Sequence, residues 1–125
     1  MTINILTFCK ENNYGANLQC YALKCVLEKE GHVVSVTNFS LHHSNLHIIA
    51  RVINFIQSFY FNRFRKKYLN CFTKKIKYDE ELYTSPPIAD LYIVGSDQVW
   101  NYSIEGNAKP ELFFFSFLPD EKPRI

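Results

Sequence analysis

The sequence predicts an α/β fold, a parallel sheet with flanking helices, and three observations carry that reading. The runs at residues 33–37 and 91–94 are short and apolar without alternation, as strands buried on both faces are. Residues 1–37 run strand, helix, strand, and a crossover helix is what parallel neighbours require. The run at 91–94 ends on Gly95 and turns polar at once. That places a loop at the carboxyl end of a strand, where open α/β sheets bind their ligands.

The elements follow in order. Residues 3–8 are apolar and form the first strand, and an Asn-rich loop at 9–14 follows it. From Gly15 to Glu30, Leu18, Ala22, Cys25 and Val26 recur at i, i+4, i+7 and i+8, so they are expected to form the buried face of a helix. Lys24, Glu28, Lys29 and Glu30 fall toward its other side, and Gly31 suits the left-handed residue that ends a helix. The second strand is 33–37. Residues 48–64 read as an amphipathic helix with Ile49, Ile53, Ile56, Tyr60 and Phe64 on one face. Residues 79–82 fit a short helix, and Ser85-Pro86-Pro87 is a turn before the third strand, 91–94. The run Phe113-Phe114-Phe115-Ser116-Phe117-Leu118 is strongly apolar, and a new strand is expected to begin at Arg124-Ile125. Because so little chain follows it, the Phe-rich run is expected to be partly uncovered and the chain to be a C-terminally truncated piece of a longer protein.

A chain of 125 residues fits one domain, here residues 1–125, and its 21% charged content argues against disorder. Charge is uneven: residues 51–77 carry eight bases and no acid, interleaved with Phe59, Tyr60, Phe61, Phe64, Tyr68 and Phe72. The plain reading is a solvated helix face; an anionic membrane surface is the partner that would otherwise suit it, with nucleic acid fitting less well. The start lacks the basic flank and cleavage site of a secretory signal, and polar residues interrupt the longest apolar stretch, 46–61. A cytoplasmic protein is expected, with the inner face of the membrane as its place of contact. The four cysteines (Cys9, Cys20, Cys25, Cys71) lack metal-ligand spacing and read as reduced thiols, Cys20 and Cys25 packing as small hydrophobes. His43 and His47 stand four apart near His42, but no carboxylate or Cys lies near to complete a metal site.

Two segments carry chemistry. Gly95, Ser96, Asp97, Gln98, Trp100 and Asn101 follow the 91–94 strand. Gly95 permits close backbone approach, Asp97 can accept from hydroxyls, Gln98 and Asn101 can donate and accept, and Trp100 offers a flat apolar face. Their plain alternative is a strand end with a helix cap and a core Trp. The second segment is Asn12, Asn13, Tyr14 and Gly15, in a loop feeding a helix N-terminus where free N–H groups favour an anion or a sugar. Its plain alternative is a tight turn with an Asn cap. The three-glycine dinucleotide fingerprint is missing.

The block Asn13-Tyr14-Gly15-Ala16-Asn17-Leu18-Gln19-Cys20-Tyr21-Ala22-Leu23, together with Gly95-Ser96-Asp97-Gln98-Val99-Trp100-Asn101, resembles the polysaccharide pyruvyl transferase family. The likeness extends through residues 113–124, which resemble the family's next strand region. The resemblance implies a transferase that moves the pyruvyl group of phosphoenolpyruvate onto two sugar hydroxyls as a ketal, in cell-surface polysaccharide biosynthesis. It implies two Rossmann-like domains across a cleft, a glycosyltransferase-B-like architecture of which this chain matches the N-terminal half. The family's donor-binding basic and His residues come mainly from the other domain, so the isolated chain is expected to be inactive. The implied partners are a sugar or lipid-linked saccharide acceptor and phosphoenolpyruvate. No cofactor is implied. Asp97 is assigned acceptor binding first and general base second, and Tyr14 and Trp100 could stack on a sugar ring. The competing class is a non-enzymatic Rossmann-like module that binds a phosphorylated ligand, an anionic membrane surface or nucleic acid through residues 51–77. Salt separates the two, since phosphate-backbone binding weakens steeply with salt and a neutral sugar contact does not.

Overall fold

The computed structural model describes residues 1–39, 48–96, 99–101 and 109–125. Four strands, β1 (Thr2–Leu6), β2 (Val33–Asn38), β3 (Phe72–Lys75) and β4 (Leu91–Val94), form one parallel sheet in the order β3-β2-β1-β4. Helix α1 (Tyr14–Lys29) joins β1 to β2, α2 (Ile48–Tyr68) precedes β3, and α3 (Glu80–Thr84) precedes β4. The three expected strands are thus parallel, and β1 lies between the other two. The sequence reading missed β3, a half-exposed strand of four residues with two lysines. Beyond β4 the chain end at Arg124 makes one more parallel bridge, to Tyr92.

β1 is buried on both faces, and its alternate side chains found two cores. Ile5 joins Val34, Val36, Cys20 and Leu69 under α1 and α2. Leu6 joins Tyr92, Leu82 of α3 and Phe113 on the other face. Asn4 is buried beside Leu6 and is satisfied by Ser35 Oγ at 2.9 Å and by Thr37 Oγ1, which donates to its Oδ1 at 2.7 Å. Cys20 packs in the apolar cluster as expected, where its contact with Cys9 and its burial push the thiol's pKa up.

Three expectations about faces need correction. On α1, Leu18, Ala22 and Val26 are exposed, and the buried face is Ala16, Asn17, Cys20 and Lys24. Two polar residues sit on that face because each has a partner there: Asn17 in the β1–α1 loop, Lys24 on Glu28 at 2.7 Å. On α2, Ile49, Ile53, Ile56 and Tyr60 form the expected apolar face, but it points to solvent. The Phe-rich run is not a strand. Residues Pro110–Phe114 form a 3₁₀ turn that Phe115 closes at φ 57°, in the left-handed region. Phe113, Phe115, Phe117 and Leu118 are buried, while Phe114 is 55% exposed, so the run is mostly covered and open only at Phe114 and Ser116.

Asp90 ties the starts of β1 and β4 together. Its Oδ2 accepts from the Thr2 amide at 2.7 Å and from Thr2 Oγ1 at 2.9 Å. These bonds hold its carboxyl below the ordinary carboxylate range. A lowered folded pKa gives stability that is present above the unfolded value and is lost as pH falls through the folded one. Asp90→Asn is therefore expected to flatten the acid limb of a stability–pH curve below about pH 4, measured by thermal melts. An unchanged acid limb would contradict this.

Candidate functional site

The strand order sets where a site can lie. From β1 the chain builds outward through β2 to β3, then returns to the other side of β1 for β4. α1 and α2 cover one face and α3 the other. The order reverses between β1 and β4, and a crevice opens outside the carboxyl ends of strands at such a point. The loops that leave β1 and β4 there are the two chemistry-bearing segments, and a direct contact joins them. The Gly95 amide donates to Leu6 O at 2.9 Å. A Cβ on Gly95 would lie 2.4 Å from Thr7 Oγ1 and 3.0 Å from Gln19 Nε2. Thr7 Oγ1 in turn donates to Gln19 Oε1 at 3.4 Å. Glycine is thus required because Thr7 and Gln19 occupy the space above it. Gly95→Ala is expected to cost about 1–3 kcal/mol through overpacking. A denaturant midpoint equal to that of the unaltered protein would contradict it.

Each candidate residue has a definite place. Asn13 is the N-cap of α1, its Oδ1 accepting from the Ala16 amide at 3.1 Å, so the capping role is present. Asn12 spans to α2, donating to Ser58 Oγ at 2.9 Å and to Asn54 O at 3.3 Å. Tyr14 is exposed, its ring 4.8 Å from Phe61. Gly15 and Ser96 are exposed at the ends of their loops. Trp100 is half-exposed and stacks flat on Phe114, 5.7 Å between centroids and 5° between planes. Asn101 is exposed. Asp97 and Gln98 lie outside the described residues, as do His42, His43 and His47. No group of three or more metal-ligating side chains occurs among the described residues.

Three contributors escaped the sequence reading: Thr7, Gln19 and Arg65. Gln19 stands inside the first block and could have been weighed. Arg65 gave no local signal, because it acts across 48 to 56 residues of chain. It is buried and comes from α2. Its Nε donates to Cys9 O and to Asn17 Oδ1, each at 2.9 Å, and its Nη2 donates to Glu11 O at 2.7 Å. Asn17 Nδ2 completes the knot, donating to Asn13 O at 2.7 Å and Glu11 O at 2.9 Å. The β1–α1 loop is therefore a preorganised element whose Cys9, Glu11 and Asn13 carbonyls are turned inward, leaving Tyr14, Gly15 and the start of α1 outward. Beside it Lys10, Asn62, Arg65, Lys66 and Phe72 line an open cleft. Burial and then the Arg65 charge lower the pKa of Lys10, whose Nζ lies 4.6 Å from the Phe72 ring.

The family model for polysaccharide pyruvyl transferases matches residues 13–124, nearly the whole chain. The chain belongs to the polysaccharide pyruvyl transferase family. No curated protein and no solved structure matched it. Both blocks of this pyruvyl transferase family member fall inside the matched span, and the Thr7–Gln19–Gly95 contact is what brings them together. Among the described residues, no helix is long and apolar enough to cross a membrane.

Proposed function

We propose that the chain forms the acceptor side of a pyruvyl transferase. Phosphoenolpyruvate gives its three-carbon unit to two hydroxyls of one sugar, as a ketal in a cell-surface polysaccharide or its lipid-linked precursor. One hydroxyl oxygen bonds to C2 of the enol while C3 takes a proton and becomes a methyl group. The second hydroxyl bonds to the same C2 as the C–O bond to phosphate breaks, and its proton leaves with inorganic phosphate. A base is needed at the attacking hydroxyl. Asp97 fills that place, binding the acceptor first and accepting the proton second. Ser96, Gln98 and Asn101 hold sugar hydroxyls, Trp100 and Tyr14 offer ring faces, and Asn12, Asn13 and Gly15 shape the opposite wall. The observation that carries this reading is the meeting of both loops at the reversal of strand order.

The leaving phosphate is charged, and its stabilisation needs preorganised cations. We assign these to a second, Rossmann-like domain in a glycosyltransferase-B-like pair, acting in the cytoplasm. The test supplies residues 1–125 with phosphoenolpyruvate and a panel of sugars bearing neighbouring diols, and follows phosphate release. No turnover is expected from this domain alone. Clear turnover by the monomer would overturn the division of labour.

A further inference from the structure

α2 turns apolar side chains to solvent. Its inward side carries Phe61, buried, and Phe64, packed on the core, beside a polar set: Asn54, Ser58 and Arg65, at i, i+4 and i+11, engage the β1–α1 loop. Its outward face carries Val52, Phe55, Ile56, Phe59 and Tyr60, each 55–78% exposed. Ile48 and Ile49 extend that surface at the start of the helix, both exposed. Scattered apolar residues are ordinary on a surface, but a contiguous strip over three turns marks a contact. The same outward side then turns basic. Arg63 stands four residues past Phe59, Lys66 seven past Phe59 and Lys67 seven past Tyr60, and all three are exposed. No acid occurs anywhere in residues 48–68.

We propose that this outward face of α2 docks on an anionic lipid bilayer. The apolar residues enter the boundary between headgroups and acyl chains, and Arg63, Lys66 and Lys67 lie among the lipid phosphates. A helix with aliphatic and aromatic residues beside clustered bases binds an interface in this way, lying on the membrane without crossing it. Anionic headgroups attract each nearby Lys or Arg further. The alternatives meet only half of the observation. A second copy pairing through the same helix would supply no carboxylate to Arg63, Lys66 and Lys67, since that helix carries none. A nucleic acid would neutralise the bases, but stacking recognition uses aromatic rings and would leave Ile48, Ile49, Val52 and Ile56 in water. The bilayer meets both the charge and the apolar area with one partner. Docking there uses side chains other than those that hold the β1–α1 loop. The proposal does not depend on the transferase reading.

The test is flotation of the purified protein with vesicles of phosphatidylcholine alone or mixed with phosphatidylglycerol, over a series of salt concentrations. Binding is expected to the mixed vesicles, weakening as salt rises. Phe55→Ser with Phe59→Ser is expected to weaken it about tenfold or more, from the lost apolar burial. Arg63→Glu with Lys67→Glu is expected to weaken it about tenfold or more, and to remove most of its salt dependence. All four side chains are exposed, so circular dichroism should show an unchanged fold. Equal flotation with both vesicle types, or unimpaired flotation of the Phe variant, would overturn the proposal. So would a dimer in light scattering that Phe55→Ser with Phe59→Ser dissolves, in a protein that does not float. Tighter binding to single-stranded RNA than to vesicles would overturn it as well.

Discussion

Arg65→Met is expected to lower stability by about 3 kcal/mol or more, because a buried acceptor left without its donor costs about 1–3 kcal/mol and this substitution strands two, Cys9 O and Asn17 Oδ1. The carbonyls of Cys9 and Glu11 and the Asn17 amide oxygen would all lose a bond. Burial disfavours the guanidinium and lowers its pKa, and the nearby Cys9 and Glu11 groups oppose that. Arg65→Lys is not a conservative change here, since one ammonium cannot serve the separate acceptors that a planar fork reaches. A domain whose whole stability is about 5–15 kcal/mol would shift its denaturant midpoint strongly. Arg63→Met, two residues away and exposed, is the control, expected to stay within about 0.5 kcal/mol. The account gives a second readout: the loop that loses its tether is the one carrying Asn12 to Gly15, so exchange of the Ala16 amide should accelerate. Equal midpoints for the two methionine variants would show that the loop does not depend on Arg65.

Phe113→Ala is expected to cost about 3–5 kcal/mol, the range for a large ring removed from a packed core. Phe113 is 2% exposed, with its ring 4.8 Å from Phe8 and 6.4 Å from Phe39. Its neighbour supplies the contrast. Phe114 is 55% exposed and stacks on Trp100, so Phe114→Ala should cost much less while changing the emission of Trp100. Chemical denaturation of the two variants checks both statements. Similar losses for both would mean that the run at 113–118 is not folded back on the sheet as described.

The three parallel strands β1, β2 and β4, and the two loops that leave β1 and β4 at the same edge, were legible because they rest on local pattern. An apolar run ended by Gly95, and an Asn-rich loop feeding a helix, mark parallel strand ends whatever surrounds them. The helix faces were not legible. Asn17 and Lys24 lie on the buried side of α1 because of partners brought by the fold, and periodicity alone assigns that side to Leu18 and Val26. α2 shows the same limit more strongly, since its polar stripe faces inward to hold a loop far away in sequence. The run at 113–118 is apolar at nearly every position, and that pattern carries no mark of the left-handed turn at Phe115 that folds it back. β3 has too few apolar residues to announce itself. At the site, the residue types on the two loops were readable from the sequence. The spacing by Thr7 and Gln19, and the anchoring by Arg65, depend on contacts that no short motif contains.

Trp100 gives the most direct test of the proposed acceptor site, because it is the single tryptophan of the sequence and sits in the second block. Its emission should be followed while sugars with neighbouring hydroxyl pairs, and separately phosphoenolpyruvate, are titrated into residues 1–125. The account predicts a saturable change with at least one sugar and none with phosphoenolpyruvate alone, and loss of the sugar response in Asp97→Asn. A response to phosphoenolpyruvate without any to sugars, or a sugar response that Asp97→Asn leaves intact, would contradict it.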